Sequence, residues 1–263
     1  LNDVVFEFEN SKKPIVAALH GTPLGGGLEL AMGCNYRVAL ANTKLGLPEV
    51  KLGIIPGAGG TQRLPRLAGI EKALAMITSG TPVSAKDAFD YGILEKVFED
   101  SLIENSISFI KNKLSQDNHP ITSKLTEKIS GIKDEVFDTF SNAIKKKYRG
   151  RKSPFCAVEA IKASTSLSFS EGLEKERELF KLCHDSNESS SLIHMFFSER
   201  KALKIPDISK DTKILPITSA AVIGCGTMGG GIAMSFTNVG IPVTVIESSQ
   251  EALDKGIKII EKN

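Results

Sequence analysis

The chain has 263 residues, of which 41% are hydrophobic and 24% are charged, and its formal net charge is +2. This composition is typical of a globular protein of one or two domains, and so mild a charge argues against a nucleic-acid partner. The four cysteines form no C-x-x-C pair and the four histidines lack metal-ligand spacing, so neither a disulfide framework nor a metal site is expected. No apolar run approaches the roughly 18 residues that span a bilayer.

The first sixty residues predict short strands separated by glycine-rich turns. Residues 4–8 alternate apolar and polar side chains, and the apolar run 15–19 predicts a buried strand. A glycine cluster ends that strand, and the sequence LELAMGCNY begins a helix. Residues 37–40 are a second strand candidate, whereas residues 45–60 contain too much glycine and proline for much regular structure.

The middle of the chain predicts helices. They are expected over residues 61–94, with an interruption at Thr81-Pro82, and again over residues 101–150 with a polar surface. Residues 157–203 are also expected to be helical, with one apolar stripe that contains Leu192, Phe196 and Leu203.

Two short segments have a distinctive composition. The basic run KKKYRGRK at residues 145–152 predicts a solvated helix end, and the alternative is a contact with a phosphate-bearing ligand. The polar stretch at residues 206–213 predicts a linker, because the character of the chain changes abruptly after it.

The first motif with chemical meaning is HGTPLGGGLELAMGC at residues 20–34. Glycines between a strand and a helix allow backbone N–H groups to approach a ligand oxygen, and the helix N-terminus favours negative charge there. Glu29, three residues after Gly26, is expected in the first helical turn. The alternative is that the glycines only form a turn and that Glu29 only complements the helix dipole.

The second motif, LGLPEVKLGIIPGAGGTQRL at residues 45–64, places Glu49 in a loop stiffened by proline. Together the two motifs resemble the crotonase, or enoyl-CoA hydratase/isomerase, family, whose signature is GGG-x-E-L-A followed about twenty residues later by P-E-x-x-L-G-x-x-P-G-x-G-G-T-Q-R-L. The resemblance implies an α/β fold of the crotonase type, a β-β-α spiral.

The resemblance also implies a mechanism that needs no cofactor. A thioester carbonyl would be held by two backbone N–H groups, of which Gly26 matches one, while Glu29 and Glu49 match the paired acids. One carboxylate can activate water while the other, kept protonated by its neighbour's charge, delivers a proton. The second oxyanion donor and the loop that binds the CoA adenine lie in an N-terminal part of the family that this chain is expected to lack.

A third motif, AAVIGCGTMGGGIAMSFTNVGIPVTVIESS, occupies residues 220–249. Gly224-x-Gly226-x-x-Gly229 follows a strand and opens a helix, and an acidic residue 18 positions later ends the next strand, which matches a dinucleotide-binding fingerprint. The expected NAD-binding residues are Gly224, Gly226, Thr227, Met228, Gly229 and Glu247. An acid at the ribose favours NAD over NADP, because a 2′-phosphate would meet a like charge.

The sequence IGCGTMGGGIA resembles the 3-hydroxyacyl-CoA dehydrogenase family in particular. The whole chain is similar to the multifunctional fatty-acid β-oxidation enzymes. The expected domains are a crotonase region at 1–150 with its N-terminal part missing, a helical linker at 151–213 that covers the crotonase site, and the first β-α-β-α of a Rossmann domain at 214–263. The chain is thus expected to be truncated at both ends.

The resemblance implies three activities in a complete enzyme. They are hydration of trans-2-enoyl-CoA, a shift of a 3-enoyl double bond to the 2-position, and oxidation of 3-hydroxyacyl-CoA with NAD. One alternative is another acyl-CoA reaction of the crotonase fold, and a second is a non-catalytic CoA- or NAD-sensing module. Expected partners are acyl-CoA thioesters and, as an open question, a thiolase subunit. The expected compartment is the cytoplasm, with the peroxisomal matrix as the alternative.

Overall fold

A computed structural model describes residues 2–116, 118–206, 208–209 and 211–262. Contacts divide the chain into two compact units, Leu1–Lys204 and Ile205–Asn263, and each unit has a structure of its own. Asp207 and Lys210, within the predicted linker, lie outside the described residues.

The first unit consists mainly of helices around short strands. Its helices are α1 (Asn2–Glu9), α2 (Gly26–Met32), α3 (Gly60–Ala68), α4 (Ile70–Ser79), α5 (Ala85–Asp90), α6 (Leu102–Lys111), α7 (Glu135–Lys145), α8 (Ser153–Ser166), α9 (Phe169–His184) and α10 (Asn187–Ala202). Its strands are β1 (Val16–Leu19), β2 (Tyr36–Leu40), β3 (Lys44–Leu45), β4 (Val83–Ser84) and β5 (Lys96–Phe98). Short 3-10 helices occupy Glu49–Leu52 and Thr122–Lys124.

Three parallel strands form the main sheet, in the order β1-β2-β5, while β3 and β4 form a separate antiparallel pair. The predicted strands at 15–19 and 37–40 are confirmed as β1 and β2. Because β1 lies at the edge of the sheet, it is half-buried and not buried as predicted. The strand-like alternation at residues 4–8 was misleading, since these residues belong to α1. Val5 and Glu9, one helical turn apart, are the buried residues of that helix.

The core of the first unit lies between the sheet and the helices α3, α4 and α8. Every residue of α3 is buried, and α8 packs against α3, α4 and α9. Residues 151–204 therefore belong to the first compact unit, which ends at Lys204. The division into functional domains at 1–150, 151–213 and 214–263 stays a prediction.

Two surface predictions need correction. Leu192 and Phe196 of α10 line a cavity described below, but Leu203 follows the helix and is 85% exposed, so the predicted stripe ends before it. The basic run at 145–152 is not wholly solvated, because Arg151 donates to Glu188 Oε1 at 2.6 Å. Residues 101–150 are also less helical than predicted, since α6 and α7 are separated by a long stretch with only the short 3-10 helix.

The second unit has the predicted order of strand, glycine turn, helix and strand. The strands β6 (Ala220–Ile223) and β7 (Val243–Ile246) pair in parallel, with Val222 opposite Val245. The helix α11 (Thr227–Thr237) connects them, and α12 (Gln250–Lys262) follows β7. Parallel strands joined by a helix are the unit from which doubly wound sheets are built.

Candidate active site

The glycine cluster forms a tight turn between β1 and α2. Gly25 has φ +56°, a conformation that favours glycine, and its N–H donates to Gly46 O at 3.0 Å. The helix α2 begins at Gly26 without a side-chain cap, and no acceptor for the Gly26 N–H lies among the described residues. This N–H at a helix N-terminus is therefore free to bind a negatively charged oxygen.

Glu29 lies in the first turn of α2 and is only 3% exposed. Its Oε1 accepts the N–H groups of Ala58 at 2.7 Å and of Gly60 at 2.8 Å, both in the second glycine-rich loop. Burial raises the pKa of this carboxyl group, and the two N–H donors and the nearby Arg63 oppose that rise. The first motif thus carries an acid that the second motif holds in place.

Glu49 starts the 3-10 helix that follows Pro48. Its Oε2 is buried and has no hydrogen-bond partner among the described residues, and its Oε1 lies against the backbone of Gly25. Burial, and then the charge of Glu29, raise the pKa of Glu49 to about 8. A buried carboxyl group without partners is unusual in a folded protein, and strongly shifted acids concentrate at functional sites.

The structure adds a third carboxyl group, Glu176 on α9, which the sequence analysis missed. It is 1% exposed and accepts N–H groups of the same glycine-rich loop as Glu29. A signal was present in the sequence. Glu176 falls on the buried stripe of α9 that also contains Gly172, Leu179 and Cys183, where a carboxylate is out of place without partners.

A cavity of about 590 Å³ opens beside Glu49. Its wall is mostly apolar, with three charged side chains besides Glu49, and its lining residues are Leu24, Gly25, Pro48, Glu49, Lys51, Leu52, Pro82, Leu192, Met195, Phe196, Glu199 and Arg200. Glu49 and Gly25 thus face the cavity directly. Gly26 and Glu29 are not among the lining residues, although both adjoin Gly25 in the α2 turn. The second wall of the cavity comes from α10.

The second unit carries the other predicted cluster, around the turn between β6 and α11. A β-carbon at Gly229 would lie 1.8 Å from Gly224 O, so only glycine fits there, whereas β-carbons at Gly224 and Gly226 would meet nothing within 4 Å. The first hydrogen bond of α11 runs from Gly230 N–H to Gly226 O at 2.8 Å. The preceding N–H groups, including those of Thr227 and Met228, therefore have no acceptor within the helix.

Glu247 directly follows β7, beside this turn. Its Oε1 accepts the Cys225 N–H at 2.5 Å and its Oε2 accepts the Ser248 N–H at 3.0 Å. The bond from Cys225 is the main reason that the pKa of Glu247 is lowered. A cavity of about 510 Å³ is lined by Gly226, Thr227 and Glu247 together with residues of α11 and α12, and Gly224, Met228 and Gly229 are not part of its wall.

Known families match the sequence around both clusters. Residues 2–131 match the enoyl-CoA hydratase/isomerase family, and residues 219–263 match the NAD-binding domain of 3-hydroxyacyl-CoA dehydrogenase. Over these two ranges the chain resembles those two families. Glu29 and Glu49 lie within the hydratase/isomerase match, and Gly224 to Glu247 lie within the dehydrogenase match. The residues between 131 and 219, which include Glu176 and α10, lie outside both.

Curated relatives match the chain across both of these ranges. The protein is 41% identical over 266 residues to the peroxisomal bifunctional enzyme of Cavia porcellus, covering 99% of this chain and 36% of the relative. It is 34% identical over 262 residues to the glyoxysomal fatty acid beta-oxidation multifunctional protein MFP-a of Cucumis sativus, covering 97% of this chain and 36% of the relative. The chain thus spans about 36% of the length of these relatives.

A solved structure confirms the predicted crotonase fold of the first part. The enoyl-CoA hydratase from Mycobacterium avium subsp. paratuberculosis K-10 aligns with a TM-score of 0.52 at 20% identity, over 75% of this chain and 68% of the other. At that identity the likeness concerns the fold alone.

Three further properties concern metal clusters, membrane-spanning helices and the cysteines. Within residues 2–116, 118–206, 208–209 and 211–262, no cluster of three or more His, Cys, Asp or Glu side chains could hold a metal ion. Over the same residues, every helix is too short or too polar to cross a membrane. The four cysteines are free and buried.

Proposed function

We propose that the protein is a multifunctional enzyme of fatty-acid β-oxidation, whose first unit hydrates trans-2-enoyl-CoA to 3-hydroxyacyl-CoA. The observation that carries this proposal is the pair of buried acids. Glu29 is held by two N–H donors, and Glu49 beside it has a buried oxygen without a partner at the wall of an apolar cavity. The names of the relatives, bifunctional and multifunctional β-oxidation proteins, support the same activity.

The two acids differ in a way that suits addition of water to a double bond. Burial raises the pKa of Glu29, but the N–H groups of Ala58 and Gly60 oppose that rise, so Glu29 is the better placed of the two acids to act as the base that takes a proton from water. Burial and the charge of Glu29 favour the protonated form of Glu49, so this residue delivers its proton to C2 while the water oxygen bonds to C3. Proton transfer between the acids by way of solvent then restores the starting state.

The Gly26 N–H stabilises the charge that develops during this addition. Attack at C3 moves electron density onto the thioester oxygen, and a free N–H at the start of α2 would donate to that oxygen. The apolar wall of the cavity, including Leu192 and Phe196, would hold the acyl chain and exclude bulk water.

The same site supports an isomerase activity as a second reaction. Shifting a double bond from C3 to C2 needs one group that removes a proton from C2 and returns it to C4. Glu49 faces the cavity and has no competing hydrogen bond at Oε2, so in its ionised form it is the better carrier, while the Gly26 N–H holds the enolate.

For the second unit we propose a part in oxidation of the 3-hydroxyacyl product with NAD. The residues fit that cofactor. Gly224 and Gly226 leave open space above the turn, the first N–H groups of α11, including those of Thr227 and Met228, are free for a pyrophosphate, and Gly229 allows the helix to pack closely. Glu247 would accept from the adenine-ribose hydroxyls in place of the Cys225 N–H. Bound NAD supplies the hydride acceptor.

The names of the relatives favour the peroxisomal matrix over the cytoplasm that the sequence first suggested, because they are called peroxisomal or glyoxysomal. Fluorescence microscopy of the tagged natural protein tests this location. Association with a thiolase subunit stays a prediction, and co-purification under native conditions tests it.

The decisive test of the activity uses crotonyl-CoA. Hydration removes the conjugated double bond, so the ultraviolet absorbance of the thioester falls as the reaction proceeds. We expect turnover by the protein with its natural flanking sequence. Binding of crotonyl-CoA without loss of absorbance would favour the sensing module, and turnover of other acyl-CoA thioesters alone would favour a different reaction of the fold.

A further inference from the structure

Four consecutive backbone N–H groups, at residues 58–61, point alternately to two different carboxyl groups. Glu29 of α2 takes the first and third, and Glu176 of α9 takes the second and fourth. The four bonds are Ala58 N–H to Glu29 Oε1 at 2.7 Å, Gly59 N–H to Glu176 Oε1 at 2.7 Å, Gly60 N–H to Glu29 Oε1 at 2.8 Å, and Thr61 N–H to Glu176 Oε2 at 2.9 Å.

The local backbone explains the alternation. Gly59 has φ +90° and precedes α3 without a side-chain cap, so the N–H groups at this helix start fan out and need acceptors from elsewhere. Neither Gly59 nor Gly60 has room for a side chain. A β-carbon at Gly60 would lie 2.8 Å from Glu29 Oε1, and one at Gly59 would lie 2.1 Å from the Arg63 side chain. The two carboxyl groups together cap α3.

Glu176 is satisfied entirely by donors. Besides the two N–H groups, the Thr61 hydroxyl donates to its Oε2 at 2.6 Å, and no acceptor among the described residues faces either oxygen. Charge-assisted bonds of this kind are stronger than neutral ones, and a buried carboxylate is stable only with such partners. Glu176 does not line the cavity, so it has no direct contact with a substrate bound there.

We propose that Glu176 is a positioning residue for Glu29, fixing residues 58–61 so that their other two N–H groups hold the catalytic carboxylate in place. This proposal rests on the hydratase function proposed above. It makes α9, which lies outside both family matches, a working part of the site. The linkage has two consequences, one for geometry and one for charge.

The geometric consequence concerns the rate. Without the Glu176 carboxylate, two of the four N–H groups lose their acceptor and the loop can rotate, which would move the donors of Glu29. A displacement of about 1 Å in a catalytic group can cost roughly 100-fold in rate. The loss is expected in kcat, because Glu176 is away from the cavity wall.

The electrostatic consequence concerns ionisation. Burial, and then the charge of Glu29, raise the pKa of Glu176 to about 8, and the charge of Glu176 in turn contributes to the raised pKa of Glu49. The positive group nearby is Arg63, which lowers the pKa of Glu29 and is itself paired with Glu9 at 2.8 Å. Glu29 therefore ionises before Glu176, and loss of the N–H donors that Glu176 keeps in place should make Glu29 harder to ionise.

The test labels the glycines of the protein with ¹⁵N and follows their amide resonances with pH. Gly59 donates to Glu176 and Gly60 donates to Glu29, so each amide reports one carboxyl group. In Glu176→Gln we expect the Gly60 midpoint to move to higher pH, because the N–H donors that lower the pKa of Glu29 are displaced, and we expect the carboxyl titration at Gly59 to disappear. Glu174→Gln, an exposed acid on the same helix, is the matched control and should move neither.

Hydration of crotonyl-CoA by the same variants completes the test. We expect kcat of Glu176→Gln to fall by up to about 100-fold, with KM nearly unchanged and the thermal unfolding transition still cooperative. If Glu176→Gln does not fold, Thr61→Val takes its place, because it removes one donor from Glu176 and none from Glu29. Thr61→Val should shift the pH midpoint of the Gly60 amide in the same direction as Glu176→Gln, by a smaller amount.

An unmoved Gly60 midpoint in a folded variant would overturn the proposal. A decrease in kcat/KM that comes entirely from a higher KM, with kcat unchanged, would overturn it as well. The proposed hydratase function fails separately, through absence of wild-type turnover. In that case the glycine titration still decides whether Glu176 controls Glu29.

Discussion

Glu49 Oε1 lies so close to Gly25 that a β-carbon at residue 25 would stand 2.9 Å from it. Gly25 also has φ +56° and ends the turn that leads into α2. The turn that exposes the Gly26 N–H therefore also forms the wall against which Glu49 rests. One residue type at one position thus controls both the oxyanion donor and the acid.

We expect Gly25→Ala to lose about 100-fold in crotonyl-CoA hydration, because the added methyl group displaces the Glu49 carboxyl group. The positive φ should also cost roughly 1–3 kcal/mol of unfolding free energy. Gly27→Ala is the matched control, since its β-carbon would meet nothing within 4 Å and its φ is not positive. Equal activity in the two variants, measured by loss of absorbance, would show that the contact has no role.

Substitution of either acid by its amide should reduce hydration by roughly 10²- to 10⁴-fold, the usual value of general acid–base help. The variants are Glu29→Gln and Glu49→Gln, and Glu104→Gln, an exposed acid on α6, is the control. Circular dichroism should show unchanged folding. Near-normal turnover by either amide variant would contradict the two-acid mechanism.

The isomerase reaction should distinguish the two acids. We expect Glu49→Gln to lose more of the 3-enoyl to 2-enoyl activity than Glu29→Gln, because one carrier at the cavity wall moves the proton between carbons. The rise of absorbance of the conjugated product measures this. A larger loss at Glu29 would reverse the assignment.

The stability of the protein should depend on pH through Glu49. Its pKa rises from 4.5 in the unfolded chain to about 8 in the folded one, so the folded state binds the extra proton. The contribution of the Glu49 proton to the free energy of unfolding is full below about pH 4.5. It is lost as pH rises to about 8, at a slope of about 1.4 kcal/mol per pH unit. Chemical unfolding at several pH values should show that the stability of Glu49→Gln rises relative to that of the wild type as pH increases across this range. Parallel curves would mean that Glu49 titrates normally.

For the second unit we expect preference for NAD over NADP. Glu247→Ala should reduce the difference between the affinities for the two cofactors. The variant loses the acceptor for the ribose hydroxyls and relieves repulsion of a 2′-phosphate. Glu251→Ala, an exposed acid in the first turn of α12, is the matched control. Calorimetric titration of both cofactors measures the ratio of affinities. A wild-type protein that bound both equally well would contradict the role of Glu247.

Several features were determined by the sequence alone because they depend on residues close together in the chain. Glu29 is in the first turn of α2 because it lies three positions after Gly26, and the fingerprint from Gly224 to Glu247 forms one β-α-β unit. In both cases glycine backbone freedom and strand or helix periodicity act over a few residues. These are the parts of the fold that were predicted correctly.

Other features were decided only by the tertiary structure. The alternation of apolar and polar residues at 4–8 is typical of a strand, yet these residues form α1. The helix places Val5 and Glu9 on one face, which is buried in the first unit. The contact of Glu176 with Gly59 joins residues 117 positions apart, and α10 reaches the cavity from a similar distance along the chain. Local patterns carry no information on such pairs, because the free energy of a buried carboxylate depends on which donors the fold brings to it.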